Sequence, residues 1–532
     1  MKRLKLLAPI VIAVMQWLIM TILQVDKFFF QYEGITKVYI LVKIVYLGVL
    51  VVIWFWIFNV IKQIRIGNVK YKRAFQVFAF YMAIMIVFIV ILWPGTWSWD
   101  DISVLNVLHW YSDLAAWQHV LTGLYIDVLL QILPFPGGVI VLQNIMISIC
   151  VAYVVVNLED YYDIKRIKYK YMDLFIKTMP FYLPPIIMYQ FSGYRMGIYV
   201  YLELVLLVMI IGVKKDITMW TWKKVILFSW LVVIVATWRT ESFLYVGGMG
   251  LLILLAPKLQ ISLRKKIACL IILICGFYGI NTWQNTLLGD ENYKIVSVIR
   301  PCAELVRVAN NQEDSQLLDE LNKVVDLDII NSNPNWDGVT LYWNTNVVRE
   351  DYTKENYKSF LNAFIKLSIK YPKVVIKERW NVFMSTLGVS DDTYTNVEYA
   401  ATLFDENNNS NAKIMLANGW LADVPVSKTV RRLFINFLGC RGTNNLIIQW
   451  LQKIIWNATI PIIALIYGWV RLIIKRKWYL WLILSLVLVK LPLIILTEPA
   501  GWIMYVLSFY ILGYVYLLYA VLAEVKSRRL KQ

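Results

Sequence analysis

The sequence predicts an all-α polytopic membrane protein with about twelve transmembrane helices, and three observations carry that prediction. The chain of 532 residues is 59% hydrophobic and 15% aromatic. It contains repeated apolar runs close to the ~20 residues that span a hydrocarbon core. Its Lys and Arg residues collect in alternate connections between those runs, as is typical of the cytoplasmic loops of membrane proteins.

The first apolar run follows a basic start and looks like the core of a signal peptide. No small-residue cleavage site follows it and many more apolar runs do, so we expect a retained first helix. The twelve predicted spans are residues 6–25, 38–61, 74–93, 137–157, 174–191, 196–213, 225–238, 242–258, 267–283, 455–470, 478–497 and 501–523.

The distribution of basic residues predicts the orientation in the membrane. With a cytoplasmic N-terminus, the inner tails and short inner loops hold 27 Lys and Arg, against 4 in the short outer loops. The positive-inside rule favours that arrangement, and an even number of spans then places both termini in the cytoplasm. The chain has a net charge of +18, and its surplus basic side chains would then face the cytoplasm and the anionic lipid of the cell membrane. We therefore expect the lipid bilayer as a partner and exclude nucleic acid.

The predicted spans divide the chain into three regions. Residues 1–283 form a transmembrane region of nine helices, and residues 446–532 add three more. Residues 284–445 form a soluble outer-face domain, which is mostly helical because stretches such as "KENYKSFLNAFIKLSIKY" repeat apolar residues every three or four positions. Near its end, "SKTVRRLFINFLG" is basic and amphipathic, which predicts a helix on the bilayer surface.

The outer loop at 94–136 is the most informative segment. It has no Lys or Arg, but it contains four aspartates and both histidines of the protein, His109 and His119. It opens with "WPGTWSWDD", which places Asp100 and Asp101 beside the membrane. Within it, "HVLTGLYIDVLLQIL" predicts a short interfacial helix stopped by "PFPGG" at 134–138.

Two interpretations of Asp100 stay open. It follows a helix-breaking Pro-Gly pair and precedes a predicted helix, so its side chain could cap the first turn by accepting backbone N–H bonds. Alternatively, a carboxylate beside hydrocarbon is costly unless it faces a wet cavity, and such a group could take a proton from an attacking hydroxyl. Both roles are compatible, because a cap would also fix the side chain.

The motifs "WPGTWSWDD", "WQHVLTGLYI", "PFPGG", "WRTES" and "KYPKVVIKERW", in this order, resemble those of the GT-C class of membrane glycosyltransferases, particularly multi-spanning bacterial members. The resemblance implies transfer of a sugar from a polyprenyl-phosphate-linked donor to a glycan or glycolipid acceptor of the cell envelope, on the outer face. It also implies that a first-loop aspartate is the catalytic carboxylate. Asp100 matches that place best and Asp101 is second. Where the family often has His-Pro, this chain has His119 followed by Val120.

Other polar residues are candidates for substrate binding. Arg239, at a predicted outer helix end, could grip the donor phosphate, since a guanidinium fork matches phosphate oxygens; snorkelling is the structural alternative. Arg195, in the outer turn "SGYRMG", is a second candidate for that task. His109 and His119 either bind substrate or form hydrogen bonds at the interface.

Four charged residues fall inside predicted spans. Lys177 lies near a helix end and is expected to snorkel, and Lys43 could do the same. Glu203 and Lys490 lie deeper, so they should face a polar cavity or each other.

No cofactor is indicated, and no metal motif of the CxxC or HExxH kind occurs in the sequence. Asp391 and Asp392 fit a solvated turn better than a divalent-metal site. Cys302 and Cys440 share the outer segment and could form a disulfide.

A polysaccharide polymerase or ligase is the rival enzyme, but it would be expected to concentrate arginines in outer loops. A lipid-linked sugar flippase or transporter would predict paired, Gly/Pro-broken helices.

Overall fold

The structure is a computed structural model that describes residues 2–97, 99–111, 113–213, 220–257, 260–288, 295–336, 338–389, 417, 427–439 and 446–529. Within these ranges the regular elements are helices, and a single bridge between Val325 and Val348 is the one strand-like pairing. The all-α prediction is therefore confirmed for the described chain.

The helices of the first half run from the N-terminus to the start of the 284–445 segment. They are α1 Lys2–Ile22, α2 Lys37–Arg65, α3 Val69–Leu92, α4 Trp99–Leu108, α5 Val120–Ile132, α6 Pro136–Tyr162, α7 Lys170–Thr178, α8 Pro184–Gln190, α9 Arg195–Val213, α10 Trp222–Trp238, α11 Leu244–Leu255 and α12 Leu263–Leu288. Side-chain caps start several of them. Thr36 accepts from the Tyr39 N–H before α2, and Asn68 accepts from the Lys70 N–H before α3.

The helices of the second half begin within the 284–445 segment. They are α13 Val296–Val308, α14 Ser315–Asn322, α15 Leu327–Ser332, α16 Gly338–Asn344, α17 Lys354–Lys370, α18 Pro372–Thr386, α19 Lys428–Leu438, α20 Leu446–Ile455, α21 Thr459–Ile474, α22 Trp478–Leu488, α23 Lys490–Thr497 and α24 Leu507–Arg529. Short 3₁₀ turns precede α8, α11 and α24.

Seven helical segments of the described chain are long and apolar enough to cross a membrane, which indicates a multi-pass membrane protein. They are Lys37–Arg65, Val69–Leu92, Pro136–Tyr162, Arg195–Val213, Lys453–Ile474, Trp478–Thr497 and Ile503–Lys526. Seven of the twelve predicted spans thus correspond to helical segments that are long and apolar enough to cross a membrane. Three further apolar helices are shorter, at Leu7–Ile22, Val120–Ile132 and Thr240–Leu255.

The predicted span at 174–191 is wrong as a single helix. It divides into α7, a 3₁₀ turn at Met179–Tyr182 and α8, since Pro180, Pro184 and Pro185 interrupt the helical hydrogen bonds. The predicted interfacial helix at 120–132 exists as α5. However, it packs between α2 and α6 and buries most of its residues, so it does not lie along a surface.

The bundle has two chemically different ends. The first-loop end carries residues 94–136, between the end of α3 and the start of α6. The basic end carries the opposite ends of the same two helices, where Lys70 binds Asp160 at 2.7 Å and Lys526 binds Asp163. The 24 residues of α3 separate the two ends by about 36 Å.

A cluster of four charges is buried at the basic end, and we call it the basic-end ion cluster. The Arg73 guanidinium lies 2.6 Å from Glu159 and 2.5 Å from Asp173, and the Lys177 ammonium lies 2.7 Å and 2.8 Å from the same two carboxylates. The Lys177 side chain is fully buried. The prediction that Lys177 snorkels is therefore wrong, because Asp173 on the same helix and Glu159 on α6 neutralise it.

Two other charged pairs lie inside the bundle. Lys43 is also buried rather than snorkelling, since it pairs with Asp26 at 3.0 Å. Glu203 and Lys490 pair with each other, as predicted, and the Tyr245 hydroxyl donates to the same Glu203 oxygen. An isolated charge at that depth would be costly, so the pairing follows from the burial.

The 284–445 segment has a hydrophobic core of its own, built from α13 to α17 around residues such as Ile299, Leu321 and Phe360. It does not hang free of the transmembrane helices. Arg379 on α18 donates to the Glu498 carbonyl at 2.7 Å, and Thr386 donates to the Glu498 carboxylate at 2.8 Å. These contacts tie α18 to the end of α23.

Candidate functional site

The start of the first loop is docked on the 188–193 segment. The Thr96 N–H donates to the Phe191 carbonyl at 2.7 Å, and the Thr96 hydroxyl donates to the Met188 carbonyl at 2.9 Å. Trp97 is fully buried, and a Cβ atom on Gly193 would lie 2.2 Å from the Trp97 ring. Glycine at 193 therefore allows the close approach that fixes the loop before α4 begins.

Asp101 holds the first turn of α4 to the same segment. Its carboxylate accepts from the Ser192 hydroxyl and from the Gly193 N–H, both at 2.9 Å. The residue is 2% exposed. Of the two predicted catalytic carboxylates, Asp101 is thus the one that is turned toward protein and occupied in positioning α4.

Asp100 lies inside the first turn of α4, because the helix begins at Trp99. The prediction that Asp100 is the residue before the helix, in the capping position, is therefore wrong. An acidic side chain in this turn is still favoured by the helix dipole. Its carboxylate accepts from the Gln118 side-chain amide at 2.9 Å and forms a hydrogen bond with Tyr194.

Burial raises the pKa of Asp100 above its ordinary 3.8, although the Gln118 hydrogen bond and the Arg195 charge oppose that rise. Desolvation disfavours the charged form of a carboxyl group and makes the carboxylate a stronger base. Asp100 is only half-buried, whereas Asp101 is enclosed. Asp100 is thus the more accessible carboxylate of the pair.

The 113–120 segment is fixed opposite Asp100 by α12 and α9. Gln284 on α12 donates to the Ala116 carbonyl and accepts from the Val120 N–H, both at 2.7 Å. Arg195, at the start of α9, donates to the Gln118 carbonyl. These bonds to the main chain hold Gln118 where it contacts Asp100.

His119 occupies the capping position of α5 with φ 134°, a value that residues other than glycine rarely adopt. Its Nδ1 accepts from the Leu121 N–H at 3.2 Å. Burial, followed by the Arg195 charge, lowers the pKa of His119 to about 4. The neutral ring therefore carries its proton on Nε2, which is buried and has no hydrogen-bond partner within the part of the chain described.

Three predicted site residues, Asp100, His119 and Arg195, therefore come together with Gln118. We call these four residues the first-loop site. The guanidinium of Arg195 is close enough to act electrostatically on both Asp100 and His119. The site thus offers a carboxylate, a guanidinium and an N–H donor, which is a set suited to proton abstraction beside an anion.

The other two predicted binding residues lie elsewhere. His109 is at the far end of α4, about 13 Å along the helix from Asp100, where its ring contacts Phe29 edge-on at 5.3 Å. Arg239 is buried, donates to Glu241 at 2.7 Å and lies 5.5 Å from the Tyr505 ring centroid. Both have structural partners, and snorkelling does not describe Arg239.

Sequence reasoning missed Gln118, Gln284 and Arg431. Arg431 lies on the basic amphipathic helix α19. Its side chain is buried and donates to the carbonyls of Leu92 and Gly95. Burial lowers its pKa to about 9. Because Phe434 also contacts Phe88 at 5.2 Å, the end of the 284–445 segment covers the start of the first loop.

Within the described residues, no group of three or more His, Cys, Asp and Glu side chains is placed to hold a metal ion. Asp391, Asp392 and Cys440 lie outside those residues. Cys302 is buried in the core of the 284–445 segment.

Comparison with protein-family models, with curated proteins and with solved structures finds no match to this chain.

Proposed function

We propose that this protein is a membrane glycosyltransferase that moves a sugar from a polyprenyl-phosphate-linked donor to a cell-envelope acceptor on the outer face, with Asp100 as the catalytic carboxylate. One observation carries the proposal. Asp100 is a desolvated carboxylate at the first-loop end, its pKa is raised, and it accepts a hydrogen bond from the neutral amide of Gln118 at 2.9 Å. A general base needs these properties.

In the proposed reaction, Asp100 accepts the proton of the acceptor hydroxyl while that oxygen bonds to the anomeric carbon of the sugar. The bond between the anomeric carbon and the donor phosphate oxygen breaks, and polyprenyl phosphate leaves with both bonding electrons. The proton stays on Asp100 until it passes to solvent. No nucleotide is required, because a phosphate is already a good leaving group.

Arg195 and His119 are the groups we assign to the leaving phosphate. A guanidinium matches the geometry of phosphate oxygens, and the buried Nε2–H of His119 is a donor that lacks a protein partner among the described residues. Charge that develops on the phosphate would be stabilised by donors held in place before the reaction begins. Gln284 acts only as a positioning residue, through the main chain on either side of Gln118 and His119.

Arg239 is not assigned to the phosphate, because its guanidinium already donates to Glu241. We assign Asp101 a positioning role for the corresponding reason, since its carboxylate holds Ser192 and Gly193. His109 has no assigned part in the reaction.

The test is sugar transfer by membranes that contain the protein, supplied with radiolabelled sugars on polyprenyl phosphate. Asp100→Asn keeps the shape and the bond from Gln118 but cannot accept a proton, so transfer should fall by ~10² to 10⁴. Asp101→Asn is the matched neighbour, because its side-chain oxygen can still accept from Ser192 and Gly193. It should retain most of the activity. Full activity in Asp100→Asn at equal protein level would rule out the proposed base.

A further inference from the structure

A cavity of about 650 Å³ lies between α6, α9, α21, α22 and α24. Its wall near the middle of the bundle is apolar and buried, with Leu207, Leu465 and Val487 each less than 5% exposed. Its mouth is at the basic end, where Lys475, Lys477 and Glu524 are exposed. The cavity is therefore at the opposite end of the bundle from the first-loop site.

The depth of the cavity matches one leaflet of a membrane. Leu465 and Lys475 lie ten residues apart on α21, and Lys477 and Val487 lie ten residues apart along α22, and all four line the cavity. Ten helical residues span about 15 Å, which is half of the ~30 Å hydrocarbon core. A slot of this length accommodates an extended acyl chain that enters at the basic end.

The chemistry of the mouth selects the head group of such a lipid. Arg471, Lys475 and Lys477 are three positive side chains at the mouth, against the single negative Glu524. Arg471 is half-buried and forms a hydrogen bond with the Tyr516 hydroxyl, which orients the guanidinium at the level where a head group would lie. Basic side chains at a membrane surface bind anionic lipid, with each Lys or Arg strengthening binding about fivefold.

We propose that this cavity, the basic-end lipid site, binds one anionic phospholipid, with its phosphate on Arg471, Lys475 and Lys477 and one acyl chain between α9, α21 and α22. An empty apolar slot would lose the dispersion contacts of its lining atoms, and an acyl chain restores them. The volume falls within the ~300 to 1,000 Å³ of small-molecule sites. This site is independent of the proposed sugar transfer.

The experiment is native mass spectrometry of the full chain, released from nanodiscs made of equal parts phosphatidylglycerol and phosphatidylcholine. The protein should retain one phosphatidylglycerol in preference to phosphatidylcholine. The variant Arg471→Gln/Lys475→Gln/Lys477→Gln should lower the retained ratio of the two lipids by ~10-fold or more. The matched control, Lys62→Gln/Arg65→Gln/Lys72→Gln, removes three charges from the end of α2 and the start of α3, outside the cavity, and should leave the ratio unchanged.

A second variant tests the acyl slot. Ala520 lines the cavity, and Ala520→Trp should fill it and abolish retention of either lipid. If that variant does not fold, the charge variants decide. Equal retention of the two lipids by the unaltered chain, an equal loss in the control triple variant, or a lipid retained by folded Ala520→Trp would each overturn the proposal. So would displacement of the lipid by inorganic phosphate, because the site would then recognise phosphate alone.

Discussion

The first-loop site and the basic-end ion cluster both bring acidic and basic side chains together away from solvent. The two regions differ in the partners that these side chains have. In the ion cluster, each of the four charges has an opposite charge within 2.8 Å. In the first-loop site, Asp100 binds the neutral amide of Gln118, and the His119 Nε2 has no partner within the described chain. The charges of the ion cluster are neutralised by direct contacts with one another, whereas Asp100 accepts from a neutral amide and Arg195 acts on it electrostatically.

The difference separates charges that stabilise the fold from groups that can take part in a reaction. Charges that neutralise each other in a buried cluster stabilise one arrangement of helices and leave nothing to react. Groups with a raised or lowered pKa and an unused donor can bind or transfer a proton, and such groups collect at functional sites. Substitutions in the ion cluster should therefore act mainly on stability, and substitutions in the first-loop site should act mainly on activity.

The largest effect on stability is expected from Lys177→Met. It leaves Glu159 and Asp173 with only Arg73, and removal of one partner from a buried ion cluster typically costs about 3–5 kcal/mol. The measurement is the free energy of unfolding in detergent. Lys70→Met is the control, since the Lys70–Asp160 pair is about half exposed and should contribute less than about 1 kcal/mol. Equal losses in the two variants would contradict the distinction between buried and exposed pairs.

A smaller effect is expected from Gln284→Ala, which removes both hydrogen bonds to the 116–120 main chain. Leaving these groups unpaired should cost about 1–3 kcal/mol. Amide hydrogen exchange should become faster around Val120, and sugar transfer should fall because Gln118 and His119 lose their support. Asn281→Ala is the control, since Asn281 donates only to the Phe277 carbonyl of its own helix. Unchanged exchange at Val120 in Gln284→Ala would argue against the positioning role.

The third effect appears only when the pH is lowered. The pKa of His119 is about 4 in the folded protein, against 6.5 ordinarily. Between these values the unfolded chain binds a proton and the folded chain does not, so stability falls as the pH drops from 6.5 toward 4. The loss between pH 7 and pH 5 should be about 2 kcal/mol. His119→Gln should remove that part of the pH dependence, and identical pH slopes in both proteins would contradict the lowered pKa.

Part of this fold is predictable from the sequence because membrane spans obey local rules. Apolar runs of the right length identify all seven helical segments that are long enough to cross a membrane. The cost of a lone intramembrane charge predicts that Glu203 and Lys490 face a polar cavity or each other, and the structure shows the second alternative. The break at 174–191 was also visible as Pro180, Pro184 and Pro185. In this segment the three prolines outweigh the length of the apolar run, and the helix divides.

The rest depends on contacts between residues far apart in the chain. One partner of Lys177, Asp173, lies one helical turn away in the sequence. Nothing nearby reveals Glu159 as its second partner or Asp26 as the partner of Lys43. The acids and histidines of the first loop indicated a site, but they did not separate Asp100 from Asp101. Hydrogen bonds that side-chain amides donate, or that go to main-chain carbonyls, carry no sequence signature. The contacts of Gln118, Gln284 and Arg431 are of this kind.

The central claim is that Asp100 is the base of the proposed transfer, and the pH dependence of the initial transfer rate tests it most directly. A base works only when deprotonated, so the rate should fall on the acid side. Because burial raises the pKa of Asp100, the midpoint of that fall should lie above pH 3.8. In Asp100→Asn, the residual rate should be lower by ~10² to 10⁴ and should lack this acid limb. The same acid limb in Asp100→Asn, or a rate equal to that of the unaltered protein, would contradict the claim.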